Sequence, residues 1–483
     1  MSQSDTPFAR MVGALKYISL GRDRLLTPPV SGPAQYSQVP GGPFVSPPGP
    51  AKLTLGKSPA PLQAILDDNE QVTLIGANAF GAEALQNSLI AQQIARNGAY
   101  VLLDFKLDHD RRDMFAHLHR EAKTLANFRI LNVDNPSQSH SYNPLVHGTA
   151  NRVATRVVAA LMDSSYLVAR MTEAEFSAAV DALAVLIQAL RDRDGVAQFK
   201  GLHEALETEA GFQALVQNSR IHPATRAELA AQFTGSRTQD GQHYDLDRVR
   251  EPLARILRLL PSFATGKLGQ VLNATKPEID VLDGLSTRQG LFMMLPVMGK
   301  DFVAVALGRL VMAELADALE DPLSHARGPD QPPALIVTTE TALLAQGNIL
   351  QTIAAAKEAR VNVVASVSST RSLENLSQMD RDALLHNGAT KVFFQTKESP
   401  EVLRAFGESL AQAGASNAMP GLMASLDKAP PGEGFISRGF DNTHLVVWPN
   451  STVPGSLDSY QVSQGQSVAS STSPDAPTDA STQ

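Results

Sequence analysis

The chain has 483 residues, enough for two or three domains, and its 43% hydrophobic and 19% charged content suits a protein with an ordinary buried core. The absence of cysteine excludes disulfides, thiolate zinc sites and cysteine nucleophiles. A formal net charge of −8 argues against non-specific nucleic-acid binding by the whole molecule, though not against a local basic surface.

No apolar run is long enough to predict a transmembrane helix, and Arg10 and Lys16 interrupt the stretch 8–20, which does not read as a signal peptide. Together with the missing cysteines this reads as a cytoplasmic protein. Phe8, Met11, Leu15 and Ile18 step by three, four and three, which predicts one short amphipathic helix. Residues 25–50 are rich in Pro, Gly and Ser and read as an extended linker. Arg10, Lys16, Arg22, Arg24, Lys52 and Lys57 outnumber Asp5 and Asp23, so residues 1–60 form a basic arm. It either docks peripherally on an anionic membrane or a partner, or packs along its own domain, and the second reading is preferred.

Residues 72–106 organise the rest of the chain. A short apolar run at 72–75 leads into Gly76, a helix-forming stretch covers 84–95, Asn97-Gly98 ends it, and a second apolar run closes on Asp104. This is strand, turn, helix, strand, the setting of a phosphate-binding loop. Gly76 and Gly81 occupy the two glycine positions of G-x-x-x-x-G-K-[ST], but Ala82 stands where lysine reaches the phosphates and Glu83 where a hydroxyl holds Mg²⁺.

Beyond Asp104, residues 114–126 read as helix, 128–133 as strand and 135–144 as a polar loop. Asp104, Lys106 and Asp108 follow a strand end, a favoured place for function in a parallel sheet. His117 and His119, two apart on a helix, read as surface or packing residues and not as ligands. Residues 149–265 read as helical throughout. Phe176, Val180, Leu183, Ile187 and Leu190 form an amphipathic stripe, and further helices are predicted at 203–217, 224–233 and 247–260, with a polar loop at 234–245. Strands are then predicted at 290–297, 334–338, 361–366 and 390–395, alternating with helices at 304–319 and 350–358, which implies a mainly parallel sheet covered on both faces. Residues 433–449 read as a hairpin around 439–442, and the tail from 454 as disordered.

In order and spacing the chain, from about 71 to 449, resembles the type IV coupling proteins, the TraD/TraG-like ATPases of conjugative and related type IV secretion systems. The segment GAYVLLDFKLDHD is similar to that family's strand ending in Asp-x-Lys-Gly-Asp, here Asp104, Lys106 and Asp108 with Leu107 in place of glycine. SHSYNPL matches its Ser-x-x-Tyr-Asn-Pro-Leu loop at Ser139, Tyr142, Asn143, Pro144 and Leu145. The stretch 273–316 resembles the family's return to its motor domain, and 384–408 its late strand, with Asn387, Lys391 and Gly407 at matching places. The resemblance implies a RecA-like P-loop NTPase-type α/β fold with an inserted all-α domain. The expected division is an arm at 1–60, a motor-type domain from 61–148 and 266–453, an all-α domain at 149–265 and a tail at 454–483.

The departures fall on the chemistry. The family's Gly-Lys-[Thr/Ser] is Gly81-Ala82-Glu83 here. Its Asp-Glu, which serves metal and attacking water, is Thr339-Glu340, so Glu340 is a vestigial catalytic position. Val367 and the serines beside it stand where the family places a phosphate-sensing glutamine. A carboxylate such as Glu83 beside a phosphate is repelled by roughly 4 kcal/mol per charge pair at about 4 Å and an effective dielectric near ~20, about a thousandfold in affinity. Lys106 is the candidate replacement for the missing cation. Three lost motifs together imply a pseudo-ATPase that needs no cofactor; ATP and Mg²⁺ enter under the alternative of a divergent active motor. The resemblance further implies type IV secretion components as partners, an intact coupling ATPase among them. DNA or secreted protein is the implied cargo, and the inner face of a bacterial inner membrane the place.

Overall fold

Strands whose successive residues are all apolar must be covered on both faces, and that requirement shapes the molecule. The computed structural model describes residues 53–57, 63–66, 70–76, 81–162, 172–233, 245–296, 301–320, 331–344, 348–374, 376–385, 390–412, 415–430, 432–438 and 441–446. The helix expected at 8–18, the linker at 25–50, the loop at 234–244, the hairpin turn at 439–440 and the tail from 454 lie outside these residues.

In chain order the strands are β1 (Leu53–Lys57), β2 (Gln63–Leu66), β3 (Gln71–Ile75), β4 (Tyr100–Asp104), β5 (Phe128–Asn132), β6 (Gly290–Met294), β7 (Ala334–Thr338), β8 (Val361–Val367), β9 (Thr390–Phe394), β10 (Glu433–Arg438) and β11 (Asp441–Val446). They form one sheet in the order β2-β1-β11-β10-β9-β3-β8-β7-β4-β6-β5. The seven strands from β9 to β5 run parallel, and β10, β11, β1 and β2 add an antiparallel edge. The sheet is mainly parallel, as read from the sequence, and β10 and β11 pair as the expected hairpin. One departure is that β1 falls inside the stretch read as arm, where alternation too short to register gives no signal.

Period two sorts the strand residues onto two faces. Leu74, Tyr100, Leu102, Phe128, Phe292 and Val337 meet helix α1 (Ala82–Ala95) and helix α2 (His109–Glu121). Ile75, Leu103, Leu131, Met293, Ile336 and Val363 face the other way, into an apolar core that runs without a break through the helices between β5 and β6. These are α3 (Ala150–Met162), α4 (Glu173–Asp194), α5 (Phe199–Glu207), α6 (Glu209–Val216), α7 (Pro223–Phe233), α8 (Leu246–Ala264), α9 (Gly266–Leu272) and α10 (Val281–Ser286); after β6 comes α11 (Asp301–Glu320). Among the described residues no strand lies between β5 and β6, apart from one isolated bridge, Tyr142 to Ile279. Local signals set the helix ends. Asp108 caps α2 by accepting from Arg111 N–H, so that helix starts earlier than its apolar spacing suggested. Thr172 and Glu175 form a capping box on α4, which ends at Gly195 in the left-handed region. The single helix expected over 203–217 is two, because Thr208 is extended and caps the second.

The loop after β5 closes one sheet edge. Ile130 N–H donates to His140 Nδ1 (3.0 Å), His140 N–H donates to Ile130 O (2.7 Å), and Asn132 N–H donates to Ser139 Oγ (2.9 Å). Burial lowers the His140 pKa, in keeping with a ring nitrogen that accepts. Next along, Asn143 Nδ2 donates to Ala197 O and Ala274 O, both at 3.0 Å, and the buried Tyr142 hydroxyl donates to buried Glu314 on α11. The Ser139, Tyr142 and Asn143 motif thus fastens the helical block to the sheet. The second Glu314 oxygen has no hydrogen-bond partner among the described residues. Tyr142→Phe therefore leaves this carboxyl wholly unpaired and is expected to cost about 2 kcal/mol in urea unfolding, with the double variant Tyr142→Phe/Glu314→Met nearer the parent.

Candidate functional site

Parallel strands bring their carboxyl ends to one rim, and the ends of β3, β4, β7 and β8 collect there the residues singled out in the sequence. Gly76 follows β3 and Gly81 precedes α1; residues 77–80 between them lie outside the described residues. Gly81 has φ 130°, in the region that favours glycine. A Cβ at Gly76 would stand 2.6 Å from Phe394 Cβ, and one at Gly81 would stand 2.8 Å from the Phe394 ring. Phe394, fully buried at the end of β9, is therefore reason enough for both glycines.

Ala82 is wholly buried, with nothing to extend toward a ligand. Glu83 in the first turn of α1 pairs with Lys106, Nζ to Oε2 at 3.1 Å, with the two side chains 27% and 39% exposed. Lys106 is thus matched to Glu83, the carboxylate at the position where the motif has a hydroxyl. The partial exposure keeps this pair in the modest range of about 0–1 kcal/mol.

Beneath it lies a buried network. Asp104 Oδ2 is 3.4 Å from Arg111 Nη1, and both side chains are almost inaccessible. Arg111 also donates from Nε to Asn87 Oδ1 (2.6 Å) and from Nη2 to Gln86 Oε1 (2.9 Å). Gln86 Nε2 passes the chain on to Ser366 Oγ on β8 (2.6 Å). Asp104 Oδ1 accepts from Lys106 N–H at 3.1 Å. Burial pushes the Asp104 carboxyl above its usual range, and Arg111 and Lys106 pull against that shift.

Thr339 Oγ1 accepts from Phe105 N–H (3.1 Å) and lies 3.3 Å from Asp104 Oδ1, so its hydroxyl serves the end of β4. Glu340, half-buried, accepts from Ser368 Oγ at 3.2 Å. Burial pushes its carboxyl up to about 7, while Ser368 and the Lys106 charge lower it and Asp104 adds to the rise. Among the described residues no group of three His, Asp or Glu side chains is disposed to hold a metal ion. The residues present do not fit a magnesium nucleotide: position 82 is apolar and buried, Lys106 is paired, Glu83 is an acid, and the Thr339 hydroxyl is engaged.

The rim therefore unites Gly76, Gly81, Ala82, Glu83, Asp104, Lys106, Thr339 and Glu340. Sequence reasoning missed Arg111, Gln86 and Ser368. A signal for the first existed, since Arg111 falls on the same helical stripe as Phe115 and Leu118 and so points inward. Asp108 serves as a cap. His119 packs: it hydrogen-bonds Tyr100 Oη (2.9 Å) and Thr124 Oγ1 (2.8 Å), stacks on Phe128, and is lowered by burial to about 4. His117 sits 3.1 Å from Glu121. Gly407 is required by Pro420, whose Cα would be 2.7 Å from an added Cβ, Lys391 lies on β9, and Asn387 is outside the described residues.

No protein-family model matches the chain, and no curated protein matches it in sequence. Solved structures do match in fold. The unbound bacterial conjugative coupling protein TrwB, in its ΔN70 form, has 15% identity and a TM-score of 0.55, over 80% of this chain and 88% of its own. VirB4 of Thermoanaerobacter pseudethanolicus has 14% identity and a TM-score of 0.55, over 84% and 97%. TrwB bound to the non-hydrolysable GTP analogue GDPNP has 15% identity and a TM-score of 0.52, over 79% and 86%. The expected RecA-like fold with a helical block is therefore the fold observed, shared with TrwB and VirB4.

Arg111→Met would remove the partner of Asp104 Oδ2, Gln86 Oε1 and Asn87 Oδ1, and is expected to cost about 3 kcal/mol in urea unfolding, more than the paired change Arg111→Met/Asp104→Asn. For Glu340 the sign runs the other way. A folded-state pKa near 7, above the ordinary 4.5, means that burying the charge penalises folding progressively as pH rises between those values and fully above them. Glu340→Gln should therefore melt higher than the parent at about pH 8, with the gap closing toward about pH 5.

Proposed function

We propose that this chain is a coupling-protein-like component of a bacterial type IV secretion or conjugation apparatus, in which the motor fold serves as a scaffold or substrate-recruiting subunit and not as an ATP-driven motor. The fold shared with TrwB and VirB4 supports the first part. The Glu83–Lys106 ion pair carries the second. It places an acid and its own counter-ion where a motor needs a hydroxyl and a free cation, and Ala82 and Thr339 supply neither charge nor metal ligand in compensation. On this reading the partners are type IV secretion components, an active coupling ATPase among them. The cargo is DNA or secreted protein, and the place is the cytoplasm at the inner face of the membrane. Among the described residues no helix is long and apolar enough to cross a membrane, so attachment would be peripheral.

One observation favours a second reading, a divergent ATPase. Glu340 remains at the end of β7, half-buried, with a carboxyl near 7, the character of a group that can take a proton at neutral pH.

Thermal-shift titration of the full chain with Mg-ATP separates the two. The scaffold reading expects no saturable shift at millimolar nucleotide, whereas a ligand at about one hundred times its Kd stabilises by about 2.7 kcal/mol. A saturable shift, or ATP turnover abolished by Glu340→Gln, would establish the motor instead. The triple variant Ala82→Lys, Glu83→Thr, Thr339→Asp should gain binding that the parent lacks.

A further inference from the structure

Five consecutive backbone carbonyls, from Pro144 to Gly148, accept hydrogen bonds from just two arginines of the helical block. Arg156 Nη2 on α3 donates to Pro144 O (3.2 Å) and His147 O (2.6 Å). Arg191 on α4 donates from Nη2 to Leu145 O (2.7 Å) and Val146 O (3.1 Å), and from Nη1 to Gly148 O (2.8 Å). One turn of chain is thereby gripped by two helices at once. On its other side the same turn is fastened by His147, whose Nε2 lies 2.9 Å from Asp280 Oδ2. Asp280 is already fixed, since its Oδ1 accepts from Asp283 N–H (2.9 Å) as the cap of α10.

We propose that the turn 144–148 is a proton-operated clamp that ties α3 and α4 to α10, the helix that leads into β6: the two arginines hold one side of it, protonated His147 fastens the Asp280 side, and loss of that proton loosens that side, so that α3 and α4 open more often. The groups around His147 are arranged for this. Asp280 on α10 and Glu314 on α11 favour its charge, and Arg156 on α3 opposes it. Arg156 is itself matched to Asp317 on α11 (3.1 Å), Arg191 is spent on the neighbouring carbonyls, and Tyr142 occupies one oxygen of Glu314.

The hydrogen bond and charge of Asp280 hold the His147 pKa above its ordinary value against the effect of burial. Burial in turn opposes the charge of Asp280, yet its bonds to His147 and to the backbone of α10 keep its carboxyl below the usual range. A histidine raised on folding gives stabilisation that is complete below its unfolded value of about 6.5 and is lost as pH rises through the folded one. The clamp is therefore tight under mildly acidic conditions and looser under alkaline ones, independently of whether the rim binds nucleotide.

Hydrogen exchange of the full chain, corrected for the intrinsic pH effect, tests this between about pH 6 and pH 9. Residues 150–162 and 173–194 should open about two- to fivefold more often at the alkaline end, the range set by one half-exposed charge pair. His147→Gln and Asp280→Asn should each flatten that profile, the second while keeping an oxygen to cap α10. A flat profile in the parent overturns the proposal, as does one that survives both substitutions. A rise shared equally by β7 and β8 would report global unfolding and overturn it too.

Discussion

An arginine can be buried only if its charge is answered and its donors are used, and Arg111 meets that condition by drawing three elements together. Its guanidinium reaches Asp104 at the end of β4 and both Asn87 and Gln86 on α1, and lies 5.7 Å from the centre of the Phe115 ring on α2. Gln86 extends the chain of bonds to Ser366 on β8. The spacing between the helix that opens the nucleotide-type frame and the strands below it is thus set by hydrogen-bond lengths, and not by apolar packing alone. This also accounts for two of the polar buried positions of α1, Gln86 and Asn87. Gln93 does a similar service at the other end, donating to Ala99 O (2.7 Å) and Pro333 O (2.8 Å) where β4 and β7 begin.

On this fixed floor the charges of the rim are balanced within the chain. A motor's rim is organised to be completed by phosphates and a metal. Here Glu83 has Lys106, Asp104 has Arg111, Thr339 has the backbone of β4, and Glu340 has Ser368. Each of these side chains has a partner within the chain, so the rim is held together by its own hydrogen bonds and ion pairs.

How much of the molecule is legible in its sequence depends on the range of the forces involved. The parallel core strands are legible because burial on both faces leaves continuous apolar runs, as at 100–103 and 334–337. β1 and β2 are not, since their pairing with β11 and with each other is long-range and leaves little mark on short segments such as LTLGK. The rim residues are legible as positions, because glycines and strand-end acids mark turns. Their partners are not: Lys106 to Glu83 and Arg111 to Gln86 join residues more than twenty apart, a matter of how α1 and α2 sit on the sheet. The loop at Ser139 to Leu145 stands out by resemblance, yet its role in joining two layers is visible only in the carbonyl and hydroxyl bonds it makes.

The close approach of Phe394 to Gly76 and Gly81 has a consequence for how such motifs are read. A fingerprint commonly taken as the mark of phosphate chemistry is held in place here by one residue of a neighbouring strand, whose Cβ leaves no room for a methyl group at Gly76 and whose ring leaves none at Gly81. The two glycines thus have a mechanical reason to be glycine that is independent of any ligand, and a sequence signature can hold its place by packing alone.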